Sequence, residues 1–294
     1  MGVLKGVYIV LATPFTEAGE IDYEGFGRNL DHYVSAKVHG VLVAGALGEY
    51  LTMTVDERKT LVEFASKRLG GQVPFMVGVT AHRPHQVIDL SNHAKDNGSV
   101  GVMLLPPPGT GLLYDEINAF YGQVTANIDI PVLLYNNPGS SGMDMDVDLV
   151  RELSKMPNMD AIKESSGDIK RITQIKTEFG DRLTPFCGWE DMHLESFCAG
   201  AAGWVCMGAN FAPGLTRDLL DLFNQGEMDK ARALSAKYTP IARYMENAGK
   251  VTQTTKYIMD KRGLTGGYVR APRQALTEAE KIKIDAIIKD VDLY

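Results

Sequence analysis

The sequence has few cysteines, no long apolar run and no excess of basic residues. Three cysteines in 294 residues do not make the disulfide framework of a small secreted protein, which favours a reducing compartment. No apolar stretch approaches the roughly 18 residues of a membrane-spanning helix, and no signal peptide is evident. A formal net charge of −7 argues against nucleic acid and anionic membranes as partners. We therefore expect a cytoplasmic protein whose partner is a small molecule.

Short apolar runs rich in Val, Ile and Leu alternate with segments of helical periodicity. There are eight such runs: Gly6–Leu11, Gly40–Ala44, Pro74–Val79, Gly101–Leu105, Pro131–Tyr135, Met159–Lys163, Leu183–Gly188 and Gly203–Gly208. Apolar strands separated by helices predict a parallel sheet covered on both faces, and eight such units close into a (β/α)8 TIM barrel of the α/β class. The alternative, a doubly wound open sheet, would carry Gly-x-Gly-x-x-Gly after its first strand. Ala12-Thr13-Pro14-Phe15 stands there instead.

The helix boundaries support this organisation. Thr54 and Glu57 form a capping-box pattern at the start of one helix, which Gly70-Gly71 ends, and a third helix is predicted over Pro84–Asn97. A second capping box at Thr277-Glu278-Ala279-Glu280 opens a helix near the C-terminus. We expect residues 1–225 to form the barrel and residues 226–294 an appended helical subdomain of the same domain.

In such a barrel the chemistry lies at the carboxyl ends of the strands. Lys163 ends the sixth apolar run, and an amine surrounded by apolar walls is a good nucleophile. Tyr135 ends the neighbouring fifth run at the same height, where a phenol can shuttle protons. The structural alternatives are a lysine that is ion-paired at the strand rim and a tyrosine that only plugs the barrel mouth.

Four motifs stand at the ends of these runs, and together they carry a resemblance. They are Gly45-Ala46-Leu47-Gly48-Glu49, Tyr135-Asn136-Asn137-Pro138, Ile162-Lys163-Glu164-Ser165-Ser166-Gly167-Asp168 and Gly188-Trp189-Glu190-Asp191. In this order and spacing they resemble the dihydrodipicolinate synthase/N-acetylneuraminate lyase family of class I aldolases. The resemblance extends from Gly6 through the C-terminal helices.

The resemblance implies a role for each matching position. Lys163 looks like the lysine that forms an imine with a 2-oxo acid, and Tyr135 like the tyrosine that transfers protons. The remaining matches are substrate-binding positions: Ala46 and Leu47 for the 2-oxo acid carboxylate, Val205 beside the imine, and Ser165, Gly188, Glu190 and Asp191 for the rest of the substrate. The resemblance also implies a homotetramer built as a dimer of dimers. We find no metal motif and no nucleotide motif, so we expect no metal and no cofactor.

The sequence departs from the family pattern at three places. The carboxylate-binding pair is usually Thr-Thr or Ser-Thr, but here it is Ala46-Leu47. Ser140 stands where dihydrodipicolinate synthases have an arginine for the second substrate's carboxylate. Their cross-subunit tyrosine is missing too, since the loop after the fourth strand reads Pro106-Pro107-Pro108-Gly109. These departures make the lysine-pathway synthase the least favoured activity within the family.

We interpret the chain as a Schiff-base-forming aldolase or dehydratase that acts on a 2-oxo acid, with a 2-keto-3-deoxy sugar acid as the expected substrate. Glu190 and Asp191 motivate that choice, because carboxylates accept hydrogen bonds from sugar hydroxyls. Alternatives within the class are a deaminase of a hydroxylated pyrroline carboxylate and an N-acetylneuraminate lyase-like aldolase. Alternatives from other classes are a phosphate-binding barrel isomerase and a barrel that binds a 2-oxo acid without turning it over.

Overall fold

We describe a computed structural model of the chain over residues 4–289. Eight parallel strands form a closed barrel in the order of the sequence. They are β1 (Gly6–Val10), β2 (Gly40–Val43), β3 (Phe75–Gly78), β4 (Gly101–Leu104), β5 (Val132–Asn136), β6 (Met159–Glu164), β7 (Thr184–Cys187) and β8 (Gly203–Cys206). Each predicted apolar run overlaps one of these strands, although β5 and β6 each extend one residue beyond the predicted run. The TIM barrel is confirmed.

Twelve α-helices are present among the described residues. They are α1 (Tyr23–Ser35), α2 (Val55–Leu69), α3 (Pro84–Asp96), α4 (Tyr114–Thr125), α5 (Pro138–Ser141), α6 (Val147–Leu153), α7 (Ile169–Phe179), α8 (His193–Cys198), α9 (Pro213–Asn224), α10 (Met228–Asn247), α11 (Val251–Lys261) and α12 (Glu278–Lys289). None of the helices within residues 4–289 is long and apolar enough to cross a bilayer.

Both predicted capping boxes are formed. The Thr54 hydroxyl accepts from the Glu57 backbone N–H, and the Glu57 carboxylate accepts from the Thr54 backbone N–H, which closes the first turn of α2. The reciprocal pair of Thr277 and Glu280 does the same for α12. Gly70 ends α2 in the left-handed conformation, with φ of 55°, which glycine adopts without a steric penalty.

The chain divides into two compact units, of which the first comprises residues 4–6 and 75–205. It holds β3 to β7 and most of β8. Tyr135 of β5 lies opposite Lys163 of β6, which in turn lies opposite Phe186 of β7. The strands of this unit are almost wholly buried, as expected for parallel strands with covered faces.

The second unit comprises residues 7–74 and 206–289. It holds most of β1, β2 and the helices α1, α2 and α9 to α12. The buried Asn210 side chain donates to the Val10 carbonyl and accepts from the Ala12 N–H, so it fixes the end of β1. The predicted boundary at residues 225 and 226 falls between α9 and α10. That the helices after it form a separate subdomain stays a prediction.

Candidate active site

Lys163 and Tyr135 occupy the penultimate positions of two adjacent strands, and their side chains are in contact. The Lys163 Nζ lies 4.2 Å from the centroid of the Tyr135 ring. Only 5% of Lys163 and 6% of Tyr135 is exposed. Among residues 4–289 no carboxylate pairs with the Lys163 ammonium. The structure therefore does not support the alternative in which Lys163 is ion-paired at the rim of its strand.

The backbone of Gly188 closes one side of this lysine. A Cβ at Gly188 would stand 2.8 Å from the Lys163 Cγ, 2.7 Å from the Glu164 carbonyl oxygen and 2.0 Å from the Ser165 Oγ. Only glycine allows so close an approach. The Ser165 hydroxyl donates to the Gly188 carbonyl over 2.9 Å, which ties the ends of β6 and β7 together. Because its hydrogen is used in this bond, the Ser165 hydroxyl can only accept a hydrogen bond from another molecule.

The other predicted residues of this unit are buried to different degrees. Val205 in β8 is buried, and Glu190 is fully buried at the start of a short 3-10 helix, whereas Asp191 is partly exposed. Cys187 ends β7, and burial raises the pKa of its thiol to about 12. Its thiol therefore stays neutral near pH 7 and does not compete with an amine as nucleophile.

The residues that follow Tyr135 form a hydrogen-bond network that the sequence did not reveal. The Asn137 amide Nδ2 donates to the Tyr135 Oη over 2.8 Å. The Asn136 amide donates to Glu164 and to Asp144. Burial raises the pKa of the Glu164 carboxyl, although hydrogen bonds from Ser166 and Asn136 oppose the rise. This network holds the ends of β5 and β6 at the height of Lys163.

Ala46 and Leu47 belong to the second unit, in the loop after β2. Ala46 is exposed and Leu47 is buried. No acceptor among the described residues bonds to the backbone N–H of either residue. The loop lies between Ala44 and Glu49, which both have left-handed backbones, with φ of 56° and 64°. Two free N–H groups in a tight loop are a suitable binding site for a carboxylate.

A hydroxyl that the sequence did not single out stands beside the same loop. Thr13 is 1% exposed, and its Oγ1 has no hydrogen-bond partner among the described residues. A Cβ at Gly48 would lie 3.2 Å from this oxygen. A buried hydroxyl without a partner costs free energy, which a bound acceptor would recover.

Glu49 anchors the end of this loop in the protein interior. Its Oε1 accepts from the Lys256 ammonium over 2.6 Å, and its Oε2 accepts from the Arg270 backbone N–H over 3.2 Å. Both side chains of the ion pair are almost completely buried. These contacts give Glu49 a structural hydrogen-bonding role.

Within the first unit, a buried site thus presents an unpaired amine, a phenol and an acceptor hydroxyl. No cluster of His, Cys, Asp and Glu able to hold a metal occurs within residues 4–289. A buried amine next to a phenol is suited to imine chemistry on a carbonyl compound, with the phenol as acid and base.

Comparison with known proteins gives the family. Residues 3–291 match the dihydrodipicolinate synthetase family. A 4-hydroxy-tetrahydrodipicolinate synthase from Methanosphaerula palustris is 32% identical over 286 residues, which are 95% of this chain and 96% of the relative. The enzyme of the same name from Syntrophobacter fumaroxidans is 27% identical over 284 residues, 96% of this chain and 97% of its own.

Solved structures agree over nearly the whole length. Dihydrodipicolinate synthase from Aquifex aeolicus superposes with a TM-score of 0.92 at 25% identity, covering 97% of each chain. YagE, a prophage protein from E. coli K12 solved in complex with pyruvate, shares the fold with a TM-score of 0.94 at 24% identity over 100% of both chains. The family match spans nearly all of the sequence, so the chain belongs to the dihydrodipicolinate synthetase family and is a lyase of the class I aldolase type.

Proposed function

We propose that Lys163 forms a Schiff base with the C2 carbonyl of a 2-oxo acid and that Tyr135 transfers the protons of the reaction. The observation that carries the proposal is the buried contact of the two side chains, with the Lys163 Nζ 4.2 Å from the ring centroid of Tyr135. A nucleophilic lysine must be free of a permanent ion pair, and Lys163 meets that condition.

The chemistry follows from these two groups. The neutral amine of Lys163 attacks C2, and a proton moves from nitrogen to oxygen to give a carbinolamine. Tyr135 donates a proton to the departing hydroxyl, water leaves, and a protonated imine remains. In aldol cleavage, the imine accepts the electrons of the C3–C4 bond while the Tyr135 phenolate takes the C4 hydroxyl proton and C4 leaves as an aldehyde. In dehydration, the phenolate takes a proton from C3, the imine accepts the electrons of that C3–H bond, and the C4 hydroxyl then leaves as water with the proton that Tyr135 returns. Protonation and hydrolysis of the product imine release Lys163.

Within the second unit, the loop of Ala46 and Leu47 is the proposed binding site for a carboxylate. The free N–H groups of Ala46 and Leu47 donate to it, and Thr13 adds a hydroxyl donor. This set replaces the hydroxyls that the family pattern has at positions 46 and 47. A hydrogen bond to a charged group contributes about 1.5–3 kcal/mol. The Thr13 hydroxyl therefore offsets part of the binding free energy that is lost with the two missing hydroxyls.

The proposed substrate is a 2-keto-3-deoxy sugar acid. Ser140 lies exposed in α5 and cannot replace an arginine as the partner of a second carboxylate. Arg171 is already occupied, because it pairs with Asp144 and donates to the Met145 carbonyl. A substrate without a second carboxylate needs no such partner, and Ser165, Glu190 and Asp191 offer acceptors for its hydroxyls.

A substrate panel tests this proposal. Catalytic efficiency is measured for aspartate semialdehyde with pyruvate, 2-keto-3-deoxygluconate, 2-keto-3-deoxyarabonate, N-acetylneuraminate and a hydroxylated pyrroline carboxylate, with Lys163→Arg as the matched control. We expect cleavage or dehydration of at least one 2-keto-3-deoxy acid, abolished in Lys163→Arg.

The other outcomes of the panel are equally informative. Preference for aspartate semialdehyde would show that the three departures do not exclude the synthase reaction. Preference for the pyrroline compound would replace the sugar acid by a deaminase substrate, and turnover that survives in Lys163→Arg would favour an isomerase. Binding of pyruvate without turnover of any compound would indicate a non-catalytic barrel.

We also propose a cytoplasmic homotetramer, on the basis of the family resemblance and the cysteine content. Light scattering of the purified protein measures the assembly directly.

A further inference from the structure

Asn137 connects the end of β5 to the first turn of α5 through both ends of its side-chain amide. Its Oδ1 accepts from the Ser140 backbone N–H over 2.9 Å, as an N-cap residue does. Its Nδ2 donates to the Tyr135 Oη over 2.8 Å. A backbone N–H can bond only to the oxygen of the amide, so the cap fixes which end of Asn137 faces the phenol.

This orientation determines where the phenolic proton can point. A phenol oxygen has one hydrogen and two lone pairs. Because the Asn137 amide donates to one lone pair, the hydrogen of Tyr135 must point away from Asn137. The phenol therefore keeps its proton available for another acceptor while its oxygen is held in place. The ring face of the same tyrosine remains against the Lys163 ammonium.

We propose that Asn137 is a positioning residue: its cap-oriented amide holds the Tyr135 hydroxyl and directs its proton toward the oxygen that leaves C2 during imine formation. This inference rests on the proposed function of Lys163 and Tyr135. It assigns to one residue two separable roles, an acceptor in the cap of α5 and a donor to the phenol.

Two substitutions separate these roles. Asn137→Asp keeps a cap acceptor, since Asp and Asn are comparable N-caps, but it replaces the donor by a carboxylate that accepts a hydrogen bond from the phenolic O–H and so turns this O–H toward itself. Asn137→Ser also keeps a cap acceptor and is too short to reach the Tyr135 oxygen. Asp146→Ala is the matched control, because it removes the side-chain cap of α6 on the Leu149 N–H without touching Tyr135.

The assay is the exchange of the C3 hydrogens of pyruvate for deuterium, followed by NMR in D2O, because it needs the imine but no second substrate. We expect Asn137→Asp to lower the maximal exchange rate about 10-fold or more, within the range of general acid–base contributions, with a KM for pyruvate within about twofold of wild type. Asn137→Ser is expected to show a smaller decrease, and Asp146→Ala a rate within about twofold of wild type.

A double-mutant cycle decides whether Asn137 acts through the phenol. On a Tyr135→Phe background, Asn137→Asp has no hydroxyl to act on, so the double variant should exchange at the rate of Tyr135→Phe alone. The proposal would be overturned if the rate decreases caused by Asn137→Asp and by Tyr135→Phe multiplied in the double variant. It would also be overturned if the Asn137→Asp enzyme exchanged at the wild-type rate. If the wild-type enzyme itself forms no borohydride-reducible adduct with pyruvate, the proposed function fails, and that result is distinct from either of these.

Discussion

The buried ion pair of Lys256 and Glu49 should be one of the more sensitive points of the structure. The two side chains are 2% and 0% exposed, and the ammonium lies 2.6 Å from the carboxylate. It also donates to the Tyr268 carbonyl and lies 4.7 Å from the centroid of the Phe15 ring. Lys256→Met keeps most of the side-chain volume but removes the charge, which leaves the Glu49 carboxylate buried without its closest partner.

The expected loss of stability can be estimated. Breaking a buried pair by removing one partner costs about 3–5 kcal/mol. With an unfolding entropy of about 2.1 cal/mol/K per residue, a chain of 294 residues should lose about 5–8 °C in melting temperature. Scanning calorimetry of wild type and Lys256→Met at pH 7 measures the difference.

The compensating variant tests the reasoning behind this number. Glu49→Gln together with Lys256→Met removes the uncompensated charge, so the double variant should melt above Lys256→Met alone. The reasoning would be refuted by a single variant that melts within about 1 °C of wild type, or by a double variant whose loss equals the sum of the two singles. Because Glu49 ends the loop of Ala46 and Leu47, we also expect Lys256→Met to raise the KM for pyruvate.

Three further predictions follow from individual contacts. Tyr135→Phe keeps the ring and should lower kcat about 100- to 10,000-fold in steady-state assays without changing the melting temperature by more than a few degrees; near-normal turnover would contradict the proton-transfer role. Thr13→Val removes only a hydroxyl and should raise the KM for pyruvate about 10-fold or more; an unchanged KM would exclude Thr13 from the carboxylate site. Hydrogen bonds from Lys250 and Thr277 lower the pKa of Glu280 from 4.5 to about 2, so its stabilising contribution is present above pH 4.5 and lost as the pH falls toward 2. The melting-temperature advantage of wild type over Glu280→Gln should shrink over that range, and an advantage independent of pH would argue against the ion pair.

Local patterns in the sequence predicted the fold well. The apolar runs mark the strands because strands covered on both faces must be apolar along their whole length. Differences are confined to the ends: Gly6–Leu11 is predicted and Gly6–Val10 is found, and the third helix ends at Asp96 rather than Asn97. Capping boxes were predictable because their partners are three residues apart.

The contacts that complete the site were less predictable. The register of β5 and β6 places Tyr135 opposite Lys163. This proximity was predictable, because the two residues end neighbouring apolar runs. By contrast, Glu49 and Lys256 are 207 positions apart, and no local pattern links them. The bond from Asn137 to Tyr135 depends on the turn into α5, a four-residue helix too short to leave a periodic signal. The roles of the nine predicted site residues stay predictions.

The most direct test of the account is to trap the imine on Lys163. The enzyme is incubated with pyruvate and sodium borohydride, and the reduced adduct is located by intact mass and peptide mapping. The account predicts a single three-carbon adduct on Lys163, absent from Lys163→Arg. Lys256 is the internal control, because it is also buried but ion-paired with Glu49. An adduct on Lys256 or another lysine, or no adduct with any 2-oxo acid, would contradict the account.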